Sequence, residues 1–235
     1  MKIQEVLSRL KRQAHSANVA GMARFGINPR GTLGVSIPAL RKLAKDLEKD
    51  HKLARALWTS GLHEARILAG LVADPAALTE REMERWARDF DSWDICDQVC
   101  SNLFDKTPWA WKKAKEWTAR DEEFVKRAGF VLMAALAVHD KSAPDAKFLV
   151  FLPIIRREAG DERNFVKKAV NWALRQIGKR NEHLRREAVK TALSIQRLDS
   201  RSARWIAADA LRELRARKPK EQKTPRTQRG RGPGR

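Results

Sequence analysis

The chain predicts an all-α fold, and three observations carry that expectation: helical periodicity from end to end, a near absence of strand signals, and a pentapeptide that recurs. Apolar residues return at the 3.6-residue period, and the breaks between periodic stretches are short and of the helix-stop, helix-start kind. Phe124-Val125-Lys126-Arg127-Ala128 comes back as Phe165-Val166-Lys167-Lys168-Ala169, forty-one positions later, inside the ~40–47 residue period of HEAT and armadillo helix pairs. Apolar helices alternate with basic amphipathic ones, as expected of pairs stacked in an inner and an outer layer. The expected architecture is a HEAT-like helical-repeat solenoid with a basic concave face over residues 1–217. A disordered basic tail is expected over 218–235, where Pro, Gly, Gln, Thr and Arg leave too little apolar surface to order the chain.

The elements follow in order, about a dozen helices of roughly 10–19 residues with ends uncertain by ~2–4. Met1-Lys2-Ile3-Gln4-Glu5 runs straight into an amphipathic pattern, with no signal-peptide core and no apolar run near the ~20 residues that span a bilayer. Ser36 is an expected N-cap. Thr79-Glu80-Arg81-Glu82 reads as a capping box ahead of Met83, Trp86 and Phe90. From Trp93 to Phe104, the residues Trp93, Ile95, Cys96, Val99, Cys100, Leu103 and Phe104 form one apolar arc. Thr107-Pro108 supplies a cap with proline at the first helical position, and Ser142 a further cap.

Lys and Arg total 49 against 29 Asp and Glu, a net charge of +20, which points to a polyanionic partner such as nucleic acid. Residues 216–235 carry +7 of that +20, leaving +13 on the body. Cys96 and Cys100 lie four apart, a spacing that suits neither a disulfide nor a metal site and fits buried thiols in a reducing cytoplasm. The five histidines are scattered, and His63-Glu64 lacks the second histidine of a zinc-binding helix. Glycine-rich phosphate loops and nucleophile elbows are absent.

Against this basic background Asp97 stands out. It follows Trp93 by four residues, which puts the two side chains about 5–6 Å apart at Cβ on one helical face, with Asp97 at the edge of the apolar arc. Surrounding Arg or Lys would keep such a half-sheltered carboxylate ionised. Bland readings stand beside the sharp one: Trp93 and Trp172 as core indoles, Asp97 as the partner of a neighbouring helix, and Arg127 as an inter-repeat ion pair no less than a phosphate contact. Lys126, Arg127, Lys167, Lys168 and Arg175 would form an electrostatic cradle if they face the concavity. Trp109, Trp111 and Trp117 alternate with lysines, a pattern that suits base stacking, although their spacing covers more than one face and puts at least one inside.

The chain resembles the AlkD-type DNA alkylation repair proteins, alkylpurine DNA glycosylases of HEAT-like repeats, over about residues 20–215. The resemblance rests on Met22-Ala23-Arg24-Phe25, Gly34-Val35-Ser36-Ile37-Pro38 followed by Arg41, Trp93-Asp94-x-x-Asp97, Lys126-Arg127-Ala128 and Trp172-Ala173-Leu174-Arg175. It implies that Asp97 is the catalytic carboxylate, that Trp93 and Trp172 flank the lesion sugar, and that Arg127 and Arg175 approach the DNA backbone. Phe25, Ser36, Lys126 and Lys168 complete the expected nucleic-acid contacts. Phe25 stands where the family can carry a tyrosine, and Ser36-Ile37 replaces a more polar pair.

The expected activity is hydrolysis of the N-glycosidic bond of cationic N3- or N7-alkylpurines in duplex DNA. The chain would act as a monomeric, cytoplasmic, nucleoid-associated protein without metal, cofactor or membrane. The alternative is a non-catalytic scaffold that binds DNA or structured RNA.

Overall fold

The computed structural model describes residues 2–216, so the tail expected from 218 lies outside the described residues. Fourteen α-helices and two single 3₁₀ turns, Phe104–Lys106 and Trp117–Ala119, make up the fold, with no strand among the described residues. Several helices are shorter than the periodicity implied, α10 (Asp145–Leu149) having only five residues.

Helices α3 (Ile37–Leu47), α5 (His63–Val72), α7 (Trp93–Asn102), α9 (Glu123–His139), α12 (Asn164–Gly178) and α14 (Arg201–Ala216) pack each on the next as one layer. The other layer runs through α4 (His51–Thr59), α6 (Glu80–Arg88), α8 (Ala110–Glu116), α11 (Phe151–Glu158) and α13 (Glu182–Gln196). Side chains join it: Trp58 stacks on Trp86 at 4.2 Å, and Trp111 on Phe151 at 5.4 Å. Helices α1 (Ile3–Arg12) and α2 (Ser16–Arg24) begin the chain, and α10 (Asp145–Leu149) precedes α11. The recurring pentapeptide opens α9 and α12, which pack side by side with the Phe124 and Phe165 rings 5.6 Å apart. The sequence repeat is thus a repeat in space.

Two of the expected caps form and two do not. Ser36 Oγ accepts from the Ala39 N–H, and Thr79 Oγ1 accepts from the Glu82 N–H. The box at Thr79 does not close, because the Glu82 carboxylate turns to His51 and Arg55 of α4. The Thr107 hydroxyl donates to the Phe104 carbonyl, and α8 starts only at Ala110. At Ser142 the hydroxyl donates to Asp140, whose carboxylate accepts the Ala143 N–H in its place. An ionised acceptor makes the stronger bond to a backbone donor.

Packing also overturns base stacking by the Trp109, Trp111 and Trp117 group. Trp117 is buried, and Trp109 and Trp111 lie against the core. Lys113 between them is buried among Glu80, Glu84 and Glu116. Burial opposes its charge, but bonds to these three carboxylates outweigh that and raise its pKa.

Candidate nucleic-acid cleft

Helix α7 starts at Trp93 because Ser92 leaves the helix there, its hydroxyl accepting the Asn28 N–H at 2.9 Å. The Trp93 indole N–H donates to the Phe25 carbonyl at 3.1 Å, tying the first turn of α7 to the end of α2. One turn on, Asp97 is gripped by the guanidinium of Arg127 from α9: Nε to Oδ1 at 2.9 Å and Nη2 to Oδ2 at 2.8 Å. The third nitrogen, Nη1, donates to the Phe165 carbonyl of α12 at 2.5 Å. A single arginine therefore stitches α7, α9 and α12, three successive helices of one layer.

The pair is not sealed. Arg127 retains 7% side-chain exposure but Asp97 retains 18%, and Asp97 borders a cleft of about 830 Å³ together with Trp93 and Trp172. Phe25, Ser36 and Arg41 line its other side. Burial pushes the Asp97 carboxyl above its ordinary value, the charge and hydrogen bonds of Arg127 pull it down without cancelling the rise, and nearby Asp94 adds to it. Phe25 is 74% exposed at the rim, an unusual state for a large apolar ring. Trp172 packs its inner side on the core while facing the cleft.

Three of the expected backbone contacts are already engaged within the protein. Arg127 has every guanidinium nitrogen bonded. Lys126 is held by Glu158 at 2.6 Å and Asp161 at 3.3 Å, and Arg175 by Glu213 at 2.7 Å and Asp209 at 3.5 Å. These cations face repeats on either side of their own, where acids across the interface meet them, so none presents a free charge. Lys168 is exposed and has no carboxylate partner among the described residues. Ser36 uses its hydroxyl to cap α3 and is exposed at the cleft.

The cleft also holds two histidine–aspartate pairs that spacing did not reveal. His63 Nε2 lies 2.7 Å from Asp94 Oδ2, and His139 Nδ1 lies 2.5 Å from Asp105 Oδ2. Both histidines line the cleft. Their partners stand 31 and 34 positions away in sequence, about one repeat, so only knowledge of which helices stack could have joined them. Buried polar side chains need such partners: in the first pair both members are sheltered, and in the second the buried member is the Asp105 carboxylate while His139 is exposed.

A family model described as "DNA alkylation repair enzyme" matches residues 6–221. A solved structure described as "A new family of proteins related to the HEAT-like repeat DNA glycosylases with affinity for branched DNA structures" superposes with a TM-score of 0.76 at 21% identity. It covers 91% of this chain and 96% of its own. No curated protein matches the chain.

Proposed function

We propose, since this chain belongs to the DNA alkylation repair enzyme family, that it is a glycosylase for cationic N3- or N7-alkylpurines in duplex DNA. The observation that carries this reading is the convergence of Trp93, Asp97 and Trp172 on one open cleft. Glycoside hydrolysis ordinarily needs two carboxylates because the leaving group must be protonated. An alkylated purine that is already positive leaves as a neutral base, so one carboxylate suffices to stabilise the oxocarbenium-like sugar and orient water. Asp97 has that role, and the Arg127 fork fixes its plane and favours its ionised form. The indole faces of Trp93 and Trp172 attract the cationic lesion and sugar by ~0.5–2 kcal/mol each. Undamaged bases leave as anions and gain little from such a site.

The test is release of 7-methylguanine from methylated duplex. Wild type should release it, and Asp97→Asn, checked for folding by thermal melting, should lose at least about a hundredfold in single-turnover rate. Equal release by both removes Asp97 from the mechanism, and no release by wild type removes the glycosylase reading.

A second reading has its own support. Both Asp97 oxygens are committed to Arg127, and the structural neighbour is described by affinity for branched DNA. A binder without chemistry would show steep salt dependence and no base release.

A further inference from the structure

The cationic side chains at the far end of the cleft differ from those deep in the repeats. Lys126, Arg127 and Arg175 are neutralised by carboxylates. Arg41, Lys45, Lys49 and Lys106 are exposed and have no carboxylate within ion-pair distance among the described residues. They gather where α3, α5 and α7 end. Lys49 Nζ donates to the carbonyls of Leu71 and Ala73 just at the end of α5, and Lys106 Nζ donates to Asn102, the last residue of α7. A second hollow of about 490 Å³ is lined by three cations, Arg41, Lys45 and Lys49, against one acid, Glu48, and it shares Arg41 and Asn102 with the main cleft.

His139 ends α9 beside this group. It lines the main cleft with its side chain 47% exposed, while the Asp105 carboxylate holding its Nδ1 is 1% exposed. That bond aims the other ring nitrogen, Nε2, away from the core. Burial first, and then the charge of Lys106, hold the Lys49 ammonium below its ordinary value, and the charge of Asp74 offsets this only in part. Bonds to helix carbonyls fix both ammoniums in place, and the Asp74 charge leaves part of the unfavourable charge at Lys49 standing. An anion beside the two ammoniums would relieve the rest.

We infer that Lys49, Lys106 and His139, with Arg41 and Lys45 at the margin, form a phosphate-binding station for the backbone of a nucleic-acid strand leaving the Asp97 end of the cleft. This rests on the reading of the cleft as the duplex site. Arg127 and His139 are twelve residues apart on α9, about 18 Å at ~1.5 Å per residue. Backbone phosphates advance ~3.4 Å along each strand, so a strand that runs along α9 meets the station about five nucleotides from the lesion.

The experiment measures binding to duplexes bearing a stable abasic analogue, with flanks of three or eight base pairs on either side. The proteins are wild type, Lys49→Gln/Lys106→Gln and His139→Gln, the glutamines keeping a donor for the helix carbonyls. The double variant should bind the long duplex about tenfold more weakly at low salt, with a log K against log salt slope shallower by about 1.8. His139→Gln should weaken the same duplex to a smaller extent, and both variants should match wild type on the short one. Equal weakening on both lengths, or wild-type affinity on the long duplex, overturns the station while leaving the Asp97 reading in place. Failure of wild type to bind either duplex overturns both.

Discussion

On the proposed reading Asp97 serves two opposed demands, since a carboxylate that contacts a developing cation must stay ionised although its site is largely buried. Arg127 meets both with one bidentate contact, 2.9 and 2.8 Å, which favours the anion where burial disfavours it. The net direction is upward from about 3.8, and this gives a pH signature. Enzymatic release, corrected for spontaneous depurination, should fall as pH drops through the raised value of Asp97, starting above the range of an ordinary aspartate. Stability has the opposite sign for this group. A raised folded-state pKa contributes stability that is fully present below the unfolded value and lost as pH rises through the folded one. Thermal melts of wild type against Asp97→Asn across pH 3–6 would read the second effect and single-turnover assays the first; an acid limb missing from the wild-type rate would detach Asp97 from the chemistry.

At the scale of elements, α9 is the hinge of the design. With 17 residues it is the longest helix among the described residues, and it is buried along most of its length between α7, α8 and α12. Its Gly129 lets the 3₁₀ turn at Trp117–Ala119 approach closely: a Cβ there would lie 2.9 Å from the Thr118 backbone nitrogen and 3.2 Å from the Trp117 carbonyl carbon. Helix propensity alone favours Gly129→Ala by ~1 kcal/mol. Crowding against backbone should outweigh it and destabilise the protein by about 1–3 kcal/mol. A gain in chemical-denaturation midpoint for Gly129→Ala would show that the turn can yield. Because Arg127 precedes Gly129 by two residues, a shifted α9 should also slow base release.

For the whole molecule, the net charge of +20 overstates what a ligand meets, because the repeats consume many cations in their own interfaces. Among the described residues Lys168 and the cations near the C-terminal ends of α3 and α7 are exposed without an acidic partner, and by composition residues 217–235 contribute +7 of the total. That final segment should add nonspecific affinity for polyanions. Deleting residues 219–235 should weaken DNA binding at low salt and spare single-turnover release at saturating enzyme; loss of release as well would give the tail a part in the chemistry.

Trp93 and Asp97 could be paired from sequence because four residues on a helix fix their relation. Likewise, the repeat of Phe124 and Phe165 disclosed that α9 and α12 are equivalent. The cap at Ser36 was legible because an N-cap bond is made three residues away. The cap expected of Ser142 failed because the Asp140 carboxylate took its N–H, that of Thr107 because the hydroxyl turned back to the Phe104 carbonyl and α8 starts later, and the lysine–tryptophan run around Lys113 turned inward because acids 29 and 33 positions back in sequence met its charge. Sequence alone determined the helical class, the repeat, the excess of positive charge and the indole–carboxylate pair, all properties of local periodicity and composition. Tertiary structure alone decided that Arg127 closes on Asp97, that His63 and His139 each acquire an aspartate, and which cations remain unpaired. Those contacts join residues about one repeat apart, and their geometry exists only once one helix has stacked on the next.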